Sequence, residues 1–147
     1  MNWVTSITVA TLIAGVGLPA IAQTCNPLRV VGGQGKTYIQ KKVSQPGLPG
    51  APDNWNTDFV VNSRASRYVA TIRAKNEGDY KIAVYLKYPN NSADKIFDQQ
   101  VSLKNNQAFT VPGGSPRTSQ TPYQVNVFVG GTLVVGNSYS ATVSACY

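Results

Sequence analysis

Much of the chain is written in alternating apolar and polar positions. Between Arg67 and Lys75 the even positions Tyr68, Ala70, Ile72 and Ala74 are apolar, and between Tyr80 and Tyr88 the even positions Tyr80, Ile82, Val84, Leu86 and Tyr88 repeat the pattern. Successive side chains of an extended chain point to opposite sides, so a period of two marks a strand with one buried face. Lys95 to Leu103 alternates with Phe97, Val101 and Leu103 inward, and Tyr139 to Ala145 sets apolar residues between small hydroxyl residues. Gln107 to Val111 reads as a short strand stopped by Pro112-Gly113-Gly114, and weaker strands are expected at 36–43 and 58–61. Tyr123 to Val129 and Thr132 to Val135 flank Gly130-Gly131, which predicts a two-residue hairpin. No long window carries a helical period with caps.

Two strands that pair must present their apolar sides together, and this sets a register for the first two. A three-residue loop Asn76-Glu77-Gly78 brings Ala74 opposite Tyr80, Ile72 opposite Ile82 and Tyr68 opposite Leu86, with Gly78 in the left-handed position such loops use. The outer face of this predicted hairpin sets Arg73 opposite Lys81 and Arg67 opposite Lys87, with Tyr85 beside Val69. Like charges directly opposite destabilise a sheet. Acids from a neighbouring strand, solvent and salt, or a bound anion must compensate. The outward Asp98 is one such acid, and Arg67, Arg73, Lys81 and Lys87, with Tyr85 as a stacking surface, are the candidate anion-binding residues.

Seven or eight strands punctuated by Gly, Pro and Asn turns predict an all-β fold: an antiparallel β-sandwich of immunoglobulin-like character, with a small closed β-barrel as the alternative. Sandwiches host unrelated functions, so the fold alone names none.

Composition narrows the chemistry. The 147 residues include no His, two Cys, and 13 Lys and Arg against 6 Asp and Glu, a formal net charge of +7. Without His there is no imidazole base or metal ligand, and two Cys cannot build a four-thiolate metal site. No G-x-S-x-G elbow occurs, and no glycine-rich phosphate loop precedes a helix. Asp53 with Asp58, or Asp94 with Asp98, sit in turn or surface contexts, unlike the facing carboxyls of a glycosidase cleft. The reading is therefore non-enzymatic, with no cofactor and no metal.

Residues 7–18 form an uncharged apolar run ending at Pro19, followed by Ala20-Ile21-Ala22, the small-x-small pattern cleaved by signal peptidase. The expected organisation is a signal peptide over 1–22 and one domain over 23–147. The n-region has no Lys or Arg, so an uncleaved anchor is the competing reading. Every charged residue lies after Ala22. In an oxidising compartment Cys25 and Cys146 are expected to pair, joining the two ends of the domain and leaving neither end long enough to donate a strand to a neighbour.

Loops add little. Gln45 to Asp53, with three Pro and two Gly, reads as an exposed extended loop. Asp53, Asn56 and Asp58 carry oxygens suited to calcium but lack an EF-hand's glycine and terminal Glu, so an Asx turn with Trp55 folded onto the sandwich edge is the simpler reading. Asn90-Asn91-Ser92 is a glycosylation sequon in a turn, and Ser115 to Pro122 reads as an exposed, mobile linker. The function expected is a non-catalytic interaction or structural protein outside the cytoplasm, at a cell surface, in a matrix or in an appendage, meeting protein partners or itself through sheet edges. The alternative is a basic module for anionic polysaccharide or membrane headgroups. Nucleic acid fits poorly, because no recognised nucleic-acid motif occurs.

Overall fold

Ten strands follow one another along the chain: β1 (Cys25–Pro27), β2 (Arg29–Val30), β3 (Tyr38–Lys42), β4 (Asn56–Val60), β5 (Arg67–Ala74), β6 (Gly78–Lys87), β7 (Ala93–Leu103), β8 (Ala108–Thr110), β9 (Gln124–Gly130) and β10 (Ser138–Cys146). They are seen in a computed structural model that describes residues 22–147; the export signal expected at 1–22 lies, apart from Ala22, outside the described residues. The alternation read from the sequence is realised in burial. Tyr68, Ala70, Ile72 and Ala74 of β5 and Tyr80, Ile82, Val84 and Leu86 of β6 are all buried.

The strands form two antiparallel sheets that enclose one core, a β-sandwich and not a closed barrel. The first sheet runs β1-β10-β5-β8, with β3 also on β10 at the same side as β1; the second runs β2-β4-β9-β6-β7. β1 and β2 belong to one extended stretch that changes sheets at Leu28, whose amide donates to the Val143 carbonyl at 2.8 Å. Cys25 lies opposite Cys146 and is bonded to it, which clasps β1 to β10. Tyr68, Tyr80, Tyr88, Tyr139 and Phe59 are the largest fully buried side chains. Phe97 of β7 meets Phe109 of β8 with centroids 5.6 Å apart and closes one side of the sandwich.

Two expected hairpins do not form. β5 pairs with β10 and β8, and β6 with β7 and β9, so the predicted pairs Ala74–Tyr80, Ile72–Ile82 and Tyr68–Leu86 are absent. The Asn76-Glu77 connection crosses between sheets because its polar groups are satisfied elsewhere. The Tyr80 hydroxyl donates to the Asn76 carbonyl at 2.6 Å, the Ser138 amide to Asn76 Oδ1 at 2.8 Å, and the Glu77 amide to Asn105 Oδ1 at 2.7 Å. A strand with one apolar face fits either sheet of a sandwich, since both sheets face the same core.

Likewise β9 continues through Gly130, and residues Thr132–Val134 form a 3-10 turn that carries the chain to the opposite sheet. Gly131 has φ 123°, a value suited to glycine, and Val134 is buried against Gly78 while Leu133 is 77% exposed. With Leu133 in solvent, the apolar Thr132-Leu133-Val134-Val135 run caps one end of the sandwich and does not pair as a strand.

Candidate functional site

The structure divides the five candidate anion-binding residues between the two outer faces. Arg73 stands on β5 between Ser140 and Ala108, and Arg67 opposite Cys146, all on the first sheet. Lys81, Tyr85 and Lys87 stand on β6 in the second sheet, opposite Gln100, Lys95 and Ala93 of β7. The like-charge pairs on which that candidate rested are absent, for the reason that undid the hairpin: the two strands share a core and not a face.

On the second sheet acids from neighbouring strands neutralise the lysines. Lys81 and Lys95 both pair with Asp98, the latter at 2.7 Å, so Asp98 is the compensating acid the sequence offered. Those two ammonium groups, Lys81 first, hold the Asp98 carboxyl below the usual carboxylate range. Lys87 Nζ lies 3.3 Å from Asp58 Oδ1, which also accepts from Asn126 Nδ2 at 2.9 Å. Asp58 is thus fixed by β6 and β9. Asp53 Oδ1 accepts the Trp55 amide at 3.2 Å as an Asx turn, so the two carboxylates considered for calcium serve separate partners.

Around these polar groups the same face gathers aromatic rings. Register sets Asn56, Phe128, Ala83 and Asp98 in one row and Asp58, Asn126, Tyr85 and Lys95 in the next. Phe128 points outward because Val125, Val127 and Val129 of the same strand are buried. Trp55 sits edge-on to Phe128 with centroids 5.6 Å apart and planes at 79°. Its ring covers Gly130, where a Cβ would come within 2.3 Å of it, so the glycine is what admits the tryptophan. Tyr85 and Tyr123 each have a lysine ammonium 6.0 Å from the ring centroid, Lys95 and Lys87 respectively, and Tyr123 is 42% exposed.

Trp55 is held from behind by the Pro-rich loop. Its indole Nε1 donates to the Ser44 carbonyl at 2.9 Å. Ser44 and Asn54 close the base of that loop reciprocally, Ser44 amide to Asn54 Oδ1 at 3.1 Å and Asn54 amide to Ser44 Oγ at 3.0 Å. Lys41 Nζ crosses beneath to the carbonyls of Asn54 and Asn56 at 3.0 and 2.7 Å. Burial lowers the pKa of that ammonium, with Asp58 acting against the shift. The Trp55–Phe128–Tyr85–Tyr123 grouping was not singled out from the sequence, although the alternation of β9 already turned Phe128 outward.

No protein-family profile and no curated protein sequence matches the chain. Among solved structures, two variants of the family 29 carbohydrate-binding module CBM29-2 are similar at 7% identity. Their TM-scores are 0.45 and 0.47, over 85% and 86% of this chain and 93% and 87% of theirs. The CBM22-1–GH10 modules of a Clostridium thermocellum xylanase, complexed with xylohexaose, are similar at 9% identity and a TM-score of 0.35, over 74% of this chain and 24% of that one. TM-scores below 0.5 tie no residue of this chain to a ligand contact of theirs.

Proposed function

We propose that the chain is an exported, non-catalytic binding module that takes a neutral polysaccharide on the outer face of the second sheet. The observation that carries this reading is the meeting of Trp55, Phe128, Tyr85 and Tyr123 with the Asp58–Asn126–Lys87 group on one rigid sheet face. A sugar ring offers an apolar C–H side and a rim of hydroxyls. Aromatic rings match the first, and fixed amide, carboxylate and ammonium groups match the second. Because Asp58 and Asp98 neutralise most of the charge of Lys81, Lys87 and Lys95, the face supplies hydrogen bonds without a strong field, which favours an uncharged ligand.

Three further points support the same reading. The Asp94 and Asp98 carboxyls are held ionised by Arg117 and by Lys81 with Lys95, the opposite of the raised pKa a general acid needs. The long open edge β7 carries a bulge opposite Val84/Tyr85 and the charges of Asp94, Lys95 and Asp98, devices that oppose addition of a strand from a second copy. The Cys25–Cys146 bond fits an oxidising compartment outside the cytoplasm.

Native gels cast with soluble xylan, glucomannan or a β-glucan test this. Migration should be retarded by at least one of them, and Tyr85→Ala or Phe128→Ala should abolish the retardation while Tyr147→Ala, at the residue that follows β10 of the first sheet, retains it. Fluorescence of Trp55, the one tryptophan among the described residues, should shift on binding. Unretarded migration in every gel would overturn the reading.

A further inference from the structure

We infer that the outer face of the first sheet is a second and separate site, one that takes an acidic polysaccharide through Lys42, Arg73 and Lys75. The two faces divide the charge of the protein unequally. All four ion pairs among the described residues lie on the second sheet or at its edge. No acid occupies an outward position of β3, β10, β5 or β8: the six carboxylates are Asp53 in the Pro-rich loop, Asp58 on β4, Glu77 and Asp79 around the start of β6, and Asp94 and Asp98 on β7. Lys42, Arg67, Arg73 and Lys75 therefore point from the first sheet and form no ion pair among the described residues.

Three of these bases converge. Lys42 lies opposite Ser138, and the Lys75 amide donates to the Ser138 carbonyl at 2.8 Å, so Lys42, Ser138 and Lys75 form one row across three strands. Two strand spacings separate the lysines, about 10 Å, which leaves room for one carboxylate or sulfate above the Ser138 hydroxyl. A depression of about 260 Å³ lies there, lined in part by Gln40, Lys42, Lys75 and Ser138. In the next row Arg73 lies two residues along β5, its guanidinium steadied by donation from Nη1 to the Asn106 carbonyl at 2.7 Å. That acceptor is neutral, so the charge remains free for a ligand.

The third row makes the ligand a sugar polymer. Tyr38, Thr142, Thr71 and Thr110 stand side by side across four strands, with Thr71 and Thr110 hydroxyls 3.3 Å apart. Tyr38 is 52% exposed. An exposed ring beside a line of hydroxyls suits a sugar ring with its equatorial hydroxyls, and the cations one and two rows away suit an acidic substituent on the same chain. Single-stranded nucleic acid would ask for several stacking rings and a lipid surface for protruding apolar side chains. This face has one ring and a hydroxyl row. The inference does not depend on the second-sheet reading.

Retention of the oxidised full chain on immobilised heparin and polygalacturonate tests it, the first arm offering sulfate and the second carboxylate. Lys42→Gln with Lys75→Gln should weaken binding on the order of tenfold, the size expected when two unit charges near an anion are lost in water. Lys81→Gln with Lys95→Gln removes equal charge from the opposite face and should leave retention nearly intact. Tyr38→Ala should weaken polysaccharide binding without changing net charge. Lys42→Gln with Lys75→Gln should keep the wild-type melting temperature and any binding of neutral polysaccharide. Equal losses in the two doubles, no loss in the first, indifference to Tyr38→Ala, or tighter binding to phosphatidylserine vesicles or single-stranded DNA than to either polysaccharide would each overturn the inference.

Discussion

Arg117 grips Asp94 with two hydrogen bonds, Nε to Oδ2 at 2.8 Å and Nη2 to Oδ1 at 2.6 Å, while its guanidinium lies 4.1 Å from the ring centroid of Tyr88. Its amide donates to the Tyr88 hydroxyl at 3.0 Å, and Arg64 reaches its carbonyl at 2.8 Å. The Ser115 to Pro122 segment, which by composition reads as a mobile linker, is therefore fastened to β6 and β7.

A lysine at 117 supplies a point charge without the planar fork or the stacking surface. Arg117→Lys should release the segment. Limited proteolysis should then cut between residues 112 and 122 in the variant well before it cuts the wild type, and an unchanged cleavage rate would contradict the tether. The same pair has a pH signature. Arg117 holds the Asp94 carboxyl below the usual range, so the stabilisation is complete above the unfolded value near 4 and is lost as pH falls through the lower folded value. Acid should loosen the segment in the wild type and change little in Arg117→Lys.

Gly130 admits Trp55 to the face of the second sheet, and a methyl group there would meet ring atoms at 2.3 to 2.6 Å. Gly130→Ala should cost about 1 to 3 kcal/mol, as overpacking does, and should shift the emission of Trp55 as the ring is displaced. Equilibrium denaturation followed by that emission reads both effects.

The Cys25–Cys146 bond closes a loop with a sequence separation of 121 residues. Loop-closure entropy for such a length is worth about 4 to 5 kcal/mol. The double variant Cys25→Ala, Cys146→Ala should unfold at lower denaturant by about that amount, with a steeper slope because the uncrosslinked denatured chain exposes more surface.

Four phenols are buried between the sheets, and burial raises the pKa of Tyr68, Tyr80, Tyr88 and Tyr139. A raised folded pKa means stability that is full below the unfolded value near 10 and lost as pH rises through the folded values. Alkaline titration should therefore show a late group of phenols ionising together with loss of β circular dichroism. Ionisation of all eight tyrosines near pH ~10 with the dichroism intact would contradict this packing.

The alternation around Tyr68–Ala74 and Tyr80–Leu86 determined, without coordinates, which segments are strands and which side chains enter the core, because a period of two follows from backbone geometry alone. The pairing of Cys25 with Cys146 was legible too, since only two cysteines exist. Which strand lies beside which was decided in three dimensions. Both sheets of a sandwich bury their apolar faces in one core, so the patterns of β5 and β6 are the same whether the strands are neighbours or face each other. That ambiguity moved Arg73 and Lys81 to opposite outer faces, left the first sheet cationic, and let Asp58 and Asp98 neutralise the second. Trp55 joined Phe128 for the same kind of reason: residues 73 positions apart meet only when β4 and β9 pair, and Gly130 leaves the space.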